Sequence, residues 1–220
     1  MIPQIIIAYA TEGTTDIRFL ESVIKRTFEE VALECLQELE IFEPIHVPKF
    51  AGSIEEKALH YASQAIDNGA TILCFHVDAD DRTDETAFKY LISPAFVTIK
   101  ESEIEVCENL VAIVPVQMTE AWMLADKELL KRQLGTKKND EELGINKNPE
   151  DFSDPKVIIE SAIRVARDSL PKRRRSELTI GELYQPIGQT IKLNKLDTLP
   201  SYQKFKESVR DIFKQLNYLY

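Results

Sequence analysis

Three short, almost continuous apolar runs are the feature that most constrains the fold. They are QIIIAYA at residues 4–10, TILCFHV at 71–77 and LVAIVPV at 110–116. A strand that is buried on both faces has this composition, and such strands occur in parallel sheets that helices cover on both sides. The runs therefore predict central strands of a parallel sheet.

Helical patterns separate these runs. Apolar residues between Ile17 and Leu39 recur at helical spacing, which predicts a long amphipathic helix. Ser53 and Glu56 form a capping box for a second helix, which the pair Asn68 and Gly69 ends. The segment PIHVPKF between these two helices predicts a strand, and its two prolines indicate a position at the edge of the sheet.

Two further helices follow. One starts at Thr83 or Asp84 and is interrupted by Pro94. The other is predicted as a single helix over 119–135, closed by Gly135, with Trp122 and Met123 in the core and Asp126 on its surface.

The order strand, helix, strand, helix over four repeats predicts an α/β fold. We expect a Rossmann-like parallel sheet of about four strands with helices on both faces, plus a helical C-terminal extension. The predicted organisation is a catalytic domain at 1–135, a loop or linker at 136–155 and a basic helical region at 156–220 that packs on the core. Helices within and beside that region are expected near 155–169, 176–184 and 201–216.

The charge of the chain is divided unevenly along its length. Residues 156–220 hold 13 Lys and Arg against 7 Asp and Glu, a net charge of +6. The remaining 14 basic and 30 acidic residues give residues 1–155 a net charge of −16. The total of −10 argues against a surface coated for nucleic acid, whereas the basic tail leaves a local contact open.

Composition places the protein in a reducing compartment without a membrane anchor. The three cysteines lie in apolar segments and have neither metal-site nor redox-pair spacing. No basic leader or membrane-length apolar run is present, so we expect a cytoplasmic protein.

Acidic residues cluster where two of the predicted strands end. EGTTD follows the first strand and contains Glu12 and Asp16, whereas DADDRTD follows the 71–77 strand and contains Asp78 and Asp80. Carboxyl ends of parallel strands meet at one edge of a sheet, so the two groups should converge. Strand alternation places Asp78 and Asp80 on one face, with Asp81 turned aside.

Four carboxylates in one crevice repel each other unless a cation relieves the repulsion. Mg²⁺ or Mn²⁺ suits such hard oxygen ligands, and a pair of such ions can activate water and neutralise the leaving oxygen of a phosphodiester. The alternative is a pair of solvated, helix-capping turns, and this alternative is stronger for EGTTD than for DADDRTD.

A strand-end EGTTD followed by a strand-end DAD resembles the Toprim fold. The downstream segments VPVQMTEAWMLAD, NPEDFSDPK and LPSYQKF are similar to Toprim-like proteins related to the nuclease domain of the overcoming-lysogenization-defect (OLD) family, which is associated with antiviral defence. The resemblance implies that Glu12, Asp78 and Asp80 are catalytic and that Asp16 completes the metal site. Glu120 matches a further acidic position and is a candidate ligand or a helix-capping acid.

The resemblance also implies a partner. OLD relatives carry an ATPase, and this sequence has no phosphate-binding loop, so any ATP use would come from an ATPase encoded nearby. Homo-oligomerisation is a further expectation.

One histidine and one basic run each allow two interpretations. His76 has the same strand parity as Asp78, so it either orients a carboxylate or is a hydrogen-bonded core histidine. The basic residues Lys172, Arg173, Arg174 and Arg175 either contact nucleic-acid phosphates or form a solvated loop.

Three functions remain open on the sequence. The leading one is a divalent-metal-dependent nuclease that hydrolyses DNA, with RNA as an alternative substrate, in prokaryotic phage defence. The second is a non-catalytic Toprim-like subunit that binds an ATPase. The third is an aspartyl-nucleophile phosphatase, because DADDRT resembles the Asp-x-Asp-x-Thr motif of haloacid dehalogenase-like enzymes.

Overall fold

A four-stranded parallel sheet forms the centre of the computed structural model, which describes residues 2–175 and 177–220, without the side chains of Lys172 and Arg175. The strand order is β4-β2-β5-β6, and every neighbouring pair is parallel. A second parallel pair is formed by β1, which precedes β2 along the chain, and β3, which precedes β4. The strands are β1 Gln4–Ile5, β2 Ile7–Ala10, β3 Glu40–Ile41, β4 Ile45–His46, β5 Ile72–His76 and β6 Leu110–Ile113.

Helices cover both faces of this sheet, which confirms the predicted α/β class. They are α1 Thr14–Ala32, α2 Ile54–Asp67, α3 Glu85–Ala87, α4 Ser93–Lys100, α5 Thr119–Met123, α6 Lys127–Leu134, α7 Pro155–Ala166, α8 Lys172–Arg175, α9 Tyr184–Thr190, α10 Leu193–Leu196 and α11 Pro200–Gln215.

Alternation along the strands divides the core into two layers. In β5, Ile72 and Cys74 face the layer built from α1, α5, α6, α7, α9 and α11, and Leu73 and Phe75 face the layer of α2 and α4. All five residues of β5 are buried. The continuous apolar run is therefore explained by burial on both faces, as the sequence predicts.

Two predicted elements are divided in the structure. The run 4–10 is interrupted at Ile6, so β1 pairs with β3 while β2 pairs with β4 and β5. The single helix predicted over 119–135 breaks after Met123, because the Asp126 carboxylate accepts a hydrogen bond from Leu129 N at 2.9 Å and starts α6. Asp126 is 4% exposed, so its predicted surface position is wrong.

The helix that begins after Asp84 also differs from its prediction. A π-helical turn, Phe88–Ile92, joins α3 to α4, and Pro94 lies in the first turn of α4. Proline is tolerated there because the N–H it lacks would have no partner in a first turn. Pro94 therefore coincides with a change of helix type rather than with a break.

The C-terminal helices share a core with the sheet. One hydrophobic cluster contains β-strand residues together with Tyr184, Tyr202, Phe205 and Phe213 from α9 and α11. The polar segment 136–155 also contributes to it, because Leu143, Ile145 and Phe152 are buried. The helix predicted at 176–184 is replaced by a 3-10 turn, Ile180–Glu182, before α9.

None of the helices in the described part of the chain combines the length and the apolar character that a membrane crossing requires.

Candidate metal centre

The candidate site lies where β2 and β5 end. These strands are neighbours, with Ala10 opposite Phe75, and Glu12 and Asp78 each follow their strand by two residues. The backbone N–H of Asp78 donates to Glu12 Oε2 at 3.1 Å. The expected convergence of these two acids is therefore present, although they are separated by 66 residues in the chain.

Backbone amides hold three of the carboxylates. Besides the contact of Asp78 N–H with Glu12, Gly13 N–H donates to Asp16 Oδ2 at 2.9 Å, and Thr119 N–H donates to Asp78 Oδ1 at 3.0 Å. Hydrogen bonds from backbone amides favour the ionised carboxylate and fix its orientation. Three acids from two chain segments are thus held in fixed orientations at one edge of the sheet.

His76 joins this cluster. Ligand atoms of Asp16, His76 and Asp78 all lie within 4.8 Å of one another. His76 is 2% exposed, and its Nε2 lies 3.2 Å from Thr119 Oγ1 and 3.4 Å from Asp78 Oδ1.

The second ring nitrogen, Nδ1, is buried and has no hydrogen-bond partner among the described residues. In the neutral ring we assign the proton to Nε2, which faces Asp78. Burial disfavours the charged ring, but the hydrogen bond to Asp78 and the charges of Asp78, Asp16 and Glu12 outweigh it and raise the pKa of His76. The contact favours the reading in which His76 orients a carboxylate.

Burial and mutual repulsion act on the acids of the cluster. Burial raises the pKa of Asp16, and the charge of Asp78 raises it further, against lowering contributions from His76, Thr119 and Gly13. Burial also raises the pKa of Glu120, and the charges of Asp78 and Asp16 act in the same direction. Carboxylates grouped in this way concentrate negative charge at an energetic cost.

His76 contacts this cluster, whereas the described lysine and arginine side chains leave its carboxylates without an ion pair. Within the described ranges, no Lys or Arg nitrogen forms an ion pair with the carboxylates of Glu12, Asp16, Asp78, Asp80 or Glu120. Lys49 contacts the backbone of this segment, since its Nζ donates to the backbone carbonyl of Glu12 at 2.8 Å.

Asp80 takes a different position from the one that strand alternation predicts. Its φ of 49° is left-handed, and Gln117, with a φ of 61°, stands opposite it. Asp80 N–H donates to Gln117 O at 2.9 Å, and Gln117 N–H donates to Asp81 O at 3.1 Å. The alternation of side chains between the two faces of the sheet stops where β5 ends. Asp80 is therefore exposed and does not belong to the group formed by Asp16, His76 and Asp78. Desolvation and the charge of Asp78 raise its pKa, so the two acids still interact.

Glu120 lies in the first turn of α5 and is 5% exposed. Its Oε1 accepts a hydrogen bond from the hydroxyl of Tyr184 in α9. Sequence reasoning missed Tyr184, because 64 residues separate it from Glu120 and no motif connects it with the acids.

The predicted nucleic-acid residues occupy a short helix, α8. Arg173 and Arg174 are exposed there, whereas the side chains of Lys172 and Arg175 lie outside the described residues. A separate groove of about 490 Å³ adjoins the Asp80–Gln117 contact, and it is lined among others by Arg82, Gln117 and Lys147.

The residues present fit a divalent cation. Their donors are carboxylate oxygens held by backbone amides, with His76 beside Asp78 and without an ion pair to Lys or Arg among the described residues. Carboxylate oxygens are the ligands that Mg²⁺ and Mn²⁺ prefer. Comparison of the chain with protein-family models, curated proteins and solved structures finds no match. The resemblance to the Toprim group stays a prediction that rests on the motifs.

Proposed function

We propose that this chain is a divalent-metal-dependent nuclease that hydrolyses phosphodiester bonds in DNA, with RNA as the alternative substrate. The observation that carries the proposal is the set of backbone-held carboxylates of Glu12, Asp16 and Asp78, which no Lys or Arg of the described residues neutralises. Asp16 is buried, Asp78 is partly buried and Glu12 is exposed. A cation among these carboxylates would relieve their mutual repulsion, which is the reason to infer a bound ion.

Asp16 and Asp78 would hold the ion, with Glu12, Asp80 and Glu120 as further ligands or ligands of a second ion. When bound, a divalent ion lowers the pKa of water and neutralises charge on the phosphate. Glu12 Oε2 is engaged by Asp78 N–H, so Glu12 would accept the proton of the attacking water at Oε1. Through its contact with Asp78 Oδ1, His76 would keep that carboxylate oriented.

Nucleic acid must approach an acidic edge, so cationic groups near it support the choice of substrate. Arg82 and Lys147 line the groove beside Gln117 together with Asp151 and Asp154, and neither basic residue forms an ion pair with a carboxylate of the described residues. Contacts of such side chains with phosphates make binding dependent on salt. The basic residues Lys172–Arg175 remain proposed phosphate contacts.

The motifs that resemble the OLD family suggest phage defence in a prokaryotic cytoplasm together with a separate ATPase. Assembly of several copies of the chain is compatible with this role.

A cleavage assay tests the chemistry. The purified chain is expected to nick plasmid DNA with Mg²⁺ or Mn²⁺, and Asp78→Asn should abolish nicking, since asparagine retains the acceptor for Thr119 N–H but loses the charge. Asp81→Asn is the matched control, because Asp81 is exposed in the same loop and its carboxylate caps Arg82 N–H. That variant should retain activity.

Calorimetry of ion binding separates the alternatives. Uptake of Mn²⁺ by the wild-type chain but not by Asp78→Asn is expected. No uptake and no cleavage by the wild-type chain would contradict the nuclease and favour the non-catalytic subunit of an ATPase.

A further inference from the structure

Tyr184 connects the C-terminal helices to the candidate metal centre. It is the first residue of α9 and is fully buried. Its hydroxyl donates to Glu120 Oε1 in α5, and α9 itself packs on α1. Tyr184 therefore lies between the two helices that bring Glu120 and Asp16 to the site.

The position of α9 on α1 is fixed by close contacts. A Cβ on Gly188 would lie 2.5 Å from Phe19 O, so the two backbones touch at that point. Arg26 of α1 donates to the carbonyls of Gly188 at 3.1 Å and Ile191 at 2.5 Å, at the C-terminal end of α9. These bonds satisfy carbonyls that a helix end leaves without partners. Tyr184 is thus carried by a helix with little freedom to shift relative to Asp16.

The Tyr184 hydroxyl donates a hydrogen bond to the carboxylate of Glu120, as backbone amides do to Glu12, Asp16 and Asp78. Glu120 is buried beside other carboxylates, where a free side chain would turn away or lose its charge. A hydroxyl donor stabilises the ionised form and fixes one of its oxygens. Hydrogen bonds of this type to metal-binding carboxylates commonly tune the affinity for the ion.

We propose that Tyr184 is a positioning residue, which holds Glu120 in place as a further ligand of the divalent ion. The C-terminal region thereby completes the site instead of only packing against it. This inference rests on the proposed function, since it requires that the acids bind an ion.

The test compares two phenol-to-phenyl changes by calorimetry with Mn²⁺. Tyr184→Phe keeps the buried ring and removes the donor, and we expect Mn²⁺ affinity to fall about tenfold. Tyr202→Phe is the matched control, because Tyr202 is equally buried and its hydroxyl bonds to Thr27 of the same helix α1 at 2.8 Å. Its Mn²⁺ affinity should equal that of the wild-type chain.

A second variant keeps the proposal testable if Tyr184→Phe does not fold. Glu120→Gln keeps an acceptor for Tyr184 and removes the charge, so it should lower Mn²⁺ affinity at least as much. The double variant should lose no more than Glu120→Gln alone, since Tyr184 acts only through Glu120.

The results separate the role of Tyr184 from the proposed nuclease function. Unchanged Mn²⁺ affinity in Tyr184→Phe or in Glu120→Gln overturns the role of Tyr184 and leaves the proposed function standing. Equal losses in Tyr184→Phe and Tyr202→Phe overturn it too, because they indicate a general effect on the fold. A wild-type chain that takes up no Mn²⁺ contradicts the proposed function itself.

Discussion

Gly13 shows how one residue without a side chain shapes the acidic cluster. A Cβ at this position would lie 2.7 Å from Asp16 Oδ2, closer than carbon and oxygen normally approach. The backbone φ of −115° is open to any residue, so the requirement for glycine comes from space and not from conformation. The absence of a side chain lets the Asp16 carboxylate reach the Gly13 N–H.

We predict that Gly13→Ala displaces this carboxylate. The expected cost in unfolding free energy is about 1 kcal/mol, typical of a disturbed helix cap. Mn²⁺ affinity should fall about tenfold, because Asp16 loses the donor that orients it. Urea unfolding and calorimetry measure the two effects.

Gly181→Ala is the control for this change. A Cβ there would meet only Thr179 Oγ1, at 3.6 Å, which is an ordinary contact. Its Mn²⁺ affinity should not change. A Gly13→Ala protein that binds Mn²⁺ as tightly as Gly181→Ala would contradict the importance of the amide contact.

The position of a single site residue could be predicted from the sequence where local rules decide the geometry. Glu12 and Asp78 could be brought together because both follow buried neighbouring strands, and Asp16 because it lies in the first turn after Glu12. Asp80 could not be placed, since its left-handed backbone depends on a pairing with Gln117 from a distant segment. Tyr184 was missed for the same reason, because the packing of α9 on α1 has no short-range signal.

At the scale of elements, a chain of hydrogen bonds joins α5 to α11. The indole Nε1 of Trp122 donates to Ser201 Oγ at 2.7 Å, and Ser201 N–H donates to Glu150 Oε1 at 3.1 Å. Trp122 is 0% and Ser201 2% exposed, so water cannot replace either partner. The segments NPEDFSDPK and LPSYQKF thus meet at the helix that carries Glu120.

We predict that Ser201→Ala destabilises the protein by about 1–3 kcal/mol, because a buried indole N–H loses its acceptor. The midpoint of urea unfolding should fall while its slope stays constant. In a Trp122→Phe background the additional cost should largely disappear, since no donor is left without a partner.

Ser161→Ala serves as the control for that prediction. Ser161 Oγ accepts from Arg164 in an exposed position, so its loss should cost less than about 0.5 kcal/mol. Equal costs for the two serine changes would contradict the proposed role of the buried indole.

Element boundaries show where prediction from the sequence stops. The capping box of Ser53 and Glu56 forms as expected, with Glu56 N–H donating to Ser53 Oγ at 3.2 Å, since caps are local. The break between α5 and α6 was not foreseen, because a helical pattern of apolar residues continues across it. The Asp126 carboxylate accepts a hydrogen bond from Leu129 N–H and so starts a new helix within that pattern.

Across the whole molecule, opposite charges join the acidic first part of the chain to its basic end. Lys206 of α11 contacts Glu30 of α1 at 2.9 Å and Asp197 at 3.0 Å. Lys204 pairs at 2.6 Å with Asp84, a buried acid at the end of the DADDRTD loop. Some of the basic residues near the C-terminal end therefore form ion pairs within the fold, and only the other basic residues of this region can contact a nucleic acid.

The pair of Glu34 and Arg210 makes this connection dependent on pH. Arg210 Nε and Nη2 each donate to a different oxygen of Glu34 at 2.8 Å, in a bidentate arrangement. The hydrogen bonds from Arg210 lower the pKa of Glu34 below its ordinary value, against a smaller effect of burial. The folded state thus favours the ionised carboxylate more than the unfolded chain does.

We predict that Glu34→Gln lowers the unfolding free energy by about 0.5–1 kcal/mol near neutral pH, a modest value because solvent screens this exposed pair. A lowered pKa contributes stability that is complete above the ordinary pKa of glutamate and is lost as pH falls through the lowered pKa. The difference between wild type and variant should therefore be constant from about pH 7 to about pH 5 and should shrink as pH falls below the ordinary pKa of glutamate. Urea unfolding across this range measures the difference. Glu38→Gln changes an exposed acid that forms no ion pair in the described part of the chain, and its unfolding free energy should show no such trend. A Glu34→Gln difference that grew toward acid pH would contradict the assigned direction of the shift.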